Sequence, residues 1–277
     1  RYRLENVLKS SLHGCYILTM VLVGLVMPGS AFAEQNAPES PNEIVLNVDA
    51  LPIALSEPTR QIAGMNFIGG AAFHPEKNDL FFTDVVRNGI YRLDQNGQVW
   101  RIFEETEGSN GIAFGPDGNL YITRSRSGDV SFIDMKTGEV TVFVDGPRSG
   151  DSLNAPNDLV FDKTGGLYFT DPIFMPSGAD EWLQGVYYRG TNGVVHKIIE
   201  DLQQPSGVGL SPDESVLYVL PFGEPVLMSY PIIAPGHVGP GRRLCELPHN
   251  GDGMAIDTFG NIYATQPDSQ EVLVISP

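Results

Sequence analysis

Cysteine is nearly absent. The 277 residues hold two, Cys15 and Cys245. Cys15 lies in an N-terminal segment that reads as removable, so the mature chain would keep one thiol and no disulfide framework. Basic residues are also scarce, with 17 Lys and Arg against 34 Asp and Glu. Such a surface repels nucleic acid and anionic membranes and attracts cations. The histidines that follow the N-terminal segment, His74, His196, His237 and His249, show no HxxxH or HxH spacing, which argues against a transition-metal site. No GxSxG occurs, and no P-loop or GxGxxG precedes a helix. A serine mechanism of the α/β-hydrolase type and nucleotide binding of those types therefore lack support. Long helical periodicity is scarce as well.

What is abundant is turn chemistry. There are 31 glycines and 21 prolines, and together with the missing helical period they favour an all-β, turn-rich architecture. At the start, Arg1, Arg3 and Lys9 precede an apolar run from Cys15 to Met27, and Ala31-Phe32-Ala33 follows. This pattern predicts a signal peptide over 1–33 and a secreted or periplasmic protein. The alternative, a membrane anchor, needs a run of about 20 apolar residues, and this one is shorter. Without residues 1–33 the chain keeps 14 basic and 33 acidic residues, a net charge of −19. Residues 34–60 read as a polar linker followed by an N-terminal strand, and 61–277 as one repeat-built domain.

The repeats begin at Gly70. GAAFHPEKNDLFFTDV (70–85), GIAFGPDGNLYITRS (111–125), DLVFDKTGGLYFTDP (158–172), GVGLSPDESVLYVLP (207–221) and GMAIDTFGNIYATQP (253–267) share one pattern. A small or polar start leads into an apolar run, a turn and a second apolar run, which reads as a hairpin. Equivalent positions Phe73, Phe114, Phe161, Leu210 and Ile256 lie 41, 47, 49 and 46 residues apart. Further strand pairs at 89–103, 129–144 and 185–199 bring each repeat to about four strands, a β-propeller blade. Five blades are visible, and the sequence stops where another is expected.

In a propeller, the residues that lead into the inner strands face one rim of a central channel. Those rim pairs are Gly69-Gly70, Asn110-Gly111, Asn157-Asp158, Ser206-Gly207 and Asp252-Gly253. Side-chain oxygens from distant parts of the chain thus converge, and oxygen donors suit a hard cation such as Ca²⁺ or Mg²⁺. Asp252 reads as metal ligand or general base, against the plainer role of a turn residue before Gly253. Asn157 is either a ligand or a turn cap. Asp158 reads as a structural carboxylate that binds backbone amides. Asp84 and Asp171, each after a Thr at a strand end, read as internal to their blades. Ser206 is a poor ligand type whose hydroxyl is expected to hydrogen-bond its loop, and His249 is a candidate to line the pocket.

The segments NAPNDLVFDKTGGLYFTDP (154–172), SNGIAFGPDGNLYI (109–122), QPSGVGLSPDESVLYV (204–219) and GDGMAIDTFGNIYAT (251–265) resemble the senescence marker protein 30 / gluconolactonase / luciferin-regenerating-enzyme family. The resemblance implies a six-bladed β-propeller, with about five blades in this chain, one divalent cation in the channel, usually Ca²⁺, and hydrolysis of sugar-acid or related lactones. It makes Asp252 the catalytic residue and a metal ligand, and puts Asn157 and Ser206 at further ligand positions. Asn157 and Asn110 become the substrate-binding candidates. The family's first-blade Glu falls on Gly69 and a ligand Asn falls on Ser206. Arg124 and Pro221 replace acidic residues after the second and fourth inner hairpins. The expectation is a monomeric lactonase acting on a small lactone, with no nucleic-acid partner and no membrane attachment after signal cleavage. The rival is an inactive propeller that binds a small ligand or a protein. Propellers of the strictosidine-synthase or paraoxonase type share the architecture.

Overall fold

We describe residues 64–146, 153–174 and 184–276 of a computed structural model. The segments read as signal peptide and linker lie outside them. Every regular element described is a β-strand. No helix among the described residues is long and apolar enough to cross a membrane.

The strands form five antiparallel sheets in chain order. The first holds β1 (Ile68–Phe73), β2 (Leu80–Asp84), β3 (Gly89–Leu93) and β4 (Val99–Glu104). The second holds β5 (Ser109–Phe114), β6 (Leu120–Arg124), β7 (Asp129–Ile133) and β8 (Val140–Val144). The third holds β9 (Leu159–Phe161), β10 (Leu167–Asp171), β11 (Gly185–Arg189) and β12 (Val195–Ile199). The fourth holds β13 (Pro205–Leu210), β14 (Val216–Pro221), β15 (Val226–Ala234), β16 (His237–Val238) and β17 (Arg242–Glu246). The fifth holds β18 (Met254–Ile256), β19 (Ile262–Gln266) and β20 (Glu271–Ile275). First strands of successive sheets stand side by side, β1 by β5, β5 by β9, β9 by β13 and β13 by β18. This is the blade arrangement of a propeller.

The hairpins form where the repeats place them, and the turn chemistry shows why. In the third blade Gly165 takes φ 89°, a conformation that costs glycine little. Asp162 Oδ1 accepts the Thr164 and Gly166 amides at 2.9 and 2.8 Å, and the Tyr188 hydroxyl reaches Oδ2 at 3.0 Å. Tyr121 on Asp117 and Tyr263 on Asp257, both at 3.1 Å, repeat the device.

Cores form between blades. Leu167, Phe169 and Tyr187 of the third blade pack with Tyr121 and Val130 of the second. Tyr168 and Val186 pack with Val208, Leu217 and Val219 of the fourth. Each middle strand buries both faces, so β10 reads as an unbroken run, LYFTD, in which every residue is buried. That burial is the main stabilising contribution, at roughly 25 cal/mol per Å² of apolar surface.

The fourth blade differs from the expected four strands. β15 runs on past its pairing with β17 and turns back through Gly236 into β16. The added hairpin docks on the third blade. The Gly236 amide donates to the Tyr168 hydroxyl at 3.0 Å, and its carbonyl lies 2.9 Å from His196 Nε2. Regular spacing of hydrophobic positions carried no sign of this insertion.

Candidate functional site

Successive rim pairs are laced together by backbone. The Gly111 amide donates to the Asn157 carbonyl at 2.6 Å. A Cβ on Gly111 would lie 2.6 Å from that oxygen, and one on Gly207 would lie 2.5 Å from the Asp252 carbonyl. Glycine is required there because the next blade's chain crosses directly over it.

Threonines strap the same crossings. Thr83 donates to the Asn110 carbonyl and Thr123 to the Asn157 carbonyl, both at 2.8 Å. Thr170 donates to the Ser206 carbonyl at 2.6 Å. Each is the penultimate residue of its blade's second strand. Sequence reasoning read Asp84 and Asp171 as internal to their blades and assigned nothing to the threonines before them, so the bond to the next blade was missed. The recurrence of Thr at that position was the available signal.

The lacing brings Asn157, Ser206 and Asp252 together. Ser206 Oγ lies 2.6 Å from Asp252 Oδ1 and 3.2 Å from Asn157 Oδ1. Three blades thus meet at one hydroxyl. Ser206 is fully buried, Asn157 is buried and Asp252 keeps part of its surface accessible. Burial of its carboxyl raises the Asp252 pKa, with the Ser206 hydrogen bond acting against the rise. Ser206 therefore braces Asp252.

Asp158 adds a second carboxyl nearby. Its Oδ2 accepts the Val208 amide at 3.0 Å and its Oδ1 the Leu159 amide at 2.9 Å, the backbone role read from the sequence. Burial pushes its pKa up to about 7, the two amides offset part of that, and the Asp252 charge adds to it. Asn110 stands one blade away, its amide oxygen lying over Gly69, 2.2 Å from where a Cβ would be. A glutamate at Gly69 would displace that amide. Of the carboxylates that could stand in for the glutamate absent at Gly69, Glu107 is exposed and Asp151 lies outside the described residues. His249 is exposed, and its carbonyl accepts Gln266 Nε2 at 2.6 Å.

The blades also differ in how they hold the loop before the rim. Asp84 accepts the Asn66 and Phe67 amides at 2.8 and 3.2 Å, and Asp171 accepts those of Asn154 and Ala155, both at 2.9 Å. Arg124 occupies the matching position in the second blade and forms a double hydrogen bond to Asp129, both distances 2.7 Å. The second and fourth blades borrow their caps instead. Asn88 of the first blade accepts the Gly108 amide at 2.7 Å, and Gln184 of the third accepts the Gln204 amide at 3.2 Å.

As metal donors, a carboxylate, a carboxamide oxygen and a hydroxyl are of the hard type that suits Ca²⁺ or Mg²⁺. Among the described residues no group of three or more His, Cys, Asp or Glu gathers, so the set carries the charge of Asp252 alone. The donor types fit a hard divalent cation, and the set offers it one carboxylate.

Comparison with known proteins matches residues 69–277 to the SMP-30/Gluconolactonase/LRE-like region. The chain belongs to that family. A gluconolactonase of Zymomonas mobilis is 34% identical over 178 residues, covering 58% of this chain and 49% of that protein. The chain thus spans about half of that relative's length. Lactonase drp35 of Staphylococcus aureus is 25% identical over 257 residues, covering 81% of this chain and 69% of that protein. A gluconolactonase structure from Xanthomonas campestris superposes with a TM-score of 0.68, with 24% identity and 78% of each chain covered. That likeness supports the propeller fold of the family.

Proposed function

We propose that this chain is a lactone hydrolase whose general base is Asp252, assisted by one divalent cation, Ca²⁺ by preference. The observation that carries the reading is the meeting of Asn157, Ser206 and Asp252 at a single hydroxyl, in a family whose named relatives include a gluconolactonase and a lactonase.

Asp252 Oδ1 is occupied by the Ser206 hydroxyl, which leaves Oδ2 to take the proton of an attacking water. The new C–O bond forms at the lactone carbonyl carbon, the ring C–O bond breaks, and Asp252 returns the proton to the leaving alkoxide. General-base help of this kind contributes about 10²–10⁴-fold. Burial raises the Asp252 pKa, which makes its carboxylate a stronger base. A cation held by Asp252, Asn157 and Ser206 would polarise the lactone carbonyl. Asn157 and Asn110 would orient the substrate. The acidic chain favours neutral lactones and repels the carboxylate product from the mouth. The basic-then-apolar N-terminal pattern supports reading the protein as exported from the cytoplasm, and we take it to act as a monomer.

The test is hydrolysis of a panel of neutral lactones, with and without millimolar Ca²⁺, alongside thermal unfolding. Turnover that rises with Ca²⁺, and a Ca²⁺-dependent rise in unfolding temperature, support the reading. A folded protein that neither hydrolyses any lactone nor responds to Ca²⁺ is the inactive binding propeller.

A further inference from the structure

The same rim carries an aromatic pair that the mechanism does not use. Phe174 follows β10 and Phe222 follows β14. Their rings meet edge to face, with centroids 5.7 Å apart and planes at 89°. Phe174 is 37% exposed and Phe222 half-buried. Aromatic side chains with open edges at a polar rim offer apolar surface to a ligand.

Register fixes where they stand. β10 ends beside the start of β9, since the Asn157 amide donates to the Thr170 carbonyl at 3.0 Å. Pro221 pairs with Pro205, next to Ser206. The Phe222 amide donates to the Gln204 carbonyl at 2.8 Å. Gln204 is two residues before Ser206, within about 8 Å at 3.8 Å per Cα step. Both aromatics therefore leave the rim that holds Asn157, Ser206 and Asp252.

Their loops are tied together. Gln184 Oε1 accepts the Ile173 and Gln204 amides at 3.3 and 3.2 Å. Gln204 Nε2 donates to the Ile173 carbonyl at 3.2 Å, and Gln184 Nε2 donates to Gln203 Oε1 at 2.7 Å. A polar floor of glutamines thus holds an apolar wall in place, and preorganised contacts cost less ordering on binding.

We infer that Phe174 and Phe222 form an apolar subsite that selects lactones bearing an alkyl arm over polyhydroxylated sugar lactones. The inference rests on the lactonase reading and names its substrate class. A sugar lactone presents hydroxyls to this wall, and desolvating them against rings that cannot hydrogen-bond is unfavourable. An alkyl arm gains at each buried methylene.

The experiment compares kcat and KM for glucono-δ-lactone and for a δ-lactone carrying a pentyl chain. The wild type is expected to favour the pentyl lactone about 10-fold or more in kcat/KM. Phe222→Ala and Phe174→Ala should each raise KM for the pentyl lactone roughly 5-fold, with kcat and the glucono-lactone parameters little changed, because uniform binding is lost. Phe222→Leu should recover most of the loss. Equal turnover of the two lactones by wild type, or alanine variants that keep the wild-type KM, overturns the subsite and leaves the lactonase standing. No hydrolysis of either lactone by folded wild type overturns the lactonase reading and this one with it. The wild-type preference decides the matter even if an alanine variant does not fold.

Discussion

The third and fourth blades occupy neighbouring sectors and treat the same four positions in opposite ways. The third has Asn157-Asp158 at the rim and Thr170-Asp171 at the end of its second strand. The fourth has Ser206-Gly207 and Leu220-Pro221. In the third, Thr170 and Asp171 each close hydrogen bonds, Thr170 to the Asp158 amide and the Ser206 carbonyl, Asp171 to its own loop. In the fourth, Leu220 can strap nothing. It packs with Leu247 and Ala264, and a Cβ on Gly251 would lie 2.8 Å from its Cδ2. The fourth blade takes its cap from Gln184 and its strap from Thr170, both of the third. The third blade is thus the polar brace, and the Asp252 crossing after the fourth lacks the threonine bond found at the earlier ones. Asp252 is held instead by its own amide, which donates to the Thr265 carbonyl at 3.0 Å, and by the Ser206 hydroxyl on its carboxylate.

The sharpest way to break this comparison is pH. Burial pushes the Asp171 pKa up to about 7, against the amides and side chain of Asn154 and the amide of Ala155. Its folded value lies above the unfolded one, so the proton is held more tightly in the fold. The stability that follows is fully present below about pH 4 and is lost as pH rises to about 7. The gap corresponds to roughly 4 kcal/mol. Pro221 contributes no such slope. Asp171→Asn should flatten the fall in unfolding free energy between pH 4 and 7, measured by urea titration, and an unchanged slope would show that another group carries it.

Next in size is Gly207→Ala. The third blade carries Asp158 where the fourth has Gly207, and the added Cβ would press on the Asp252 carbonyl at 2.5 Å. Overpacking of this kind costs about 1–3 kcal/mol, and urea unfolding should show it together with lowered activity. A neutral result would mean the crossing yields easily. Smaller again is Thr170→Val, which keeps the shape and removes the strap. Thermal unfolding should show a loss of about 1–2 kcal/mol. Thr265→Val should cost less, because Thr265 bonds only within its own rim pair, to the Gly253 amide and carbonyl at 2.9 and 3.2 Å.

Blade order, the hairpins and the rim positions were legible because each is written locally, in turn residues and alternating apolar runs. The convergence of Asn157 with Asp252 was legible through the repeat period. The brace role of Ser206 was not, since a serine in PSG does not show which carboxylate its hydroxyl will meet. The borrowed caps at Asn88 and Gln184 were hidden for the same reason: they act across blades, and no local pattern marks them. The Phe174–Phe222 pair joins loops whose separation in sequence gave no sign of contact. The β15–β16 hairpin escaped because its Ala-Pro-Gly turn sits between runs that fit an ordinary outer strand.

The central claim is that three blades meet to hold Asp252 as a base. Its most direct test is kcat/KM for one hydrolysed lactone, wild type against Asp252→Asn, with the unfolding midpoint of each recorded. The account predicts a fall of about 10²–10⁴-fold with the midpoint little lowered. Activity retained within about 3-fold in a folded Asp252→Asn variant would contradict it, since general-base help is worth far more than that.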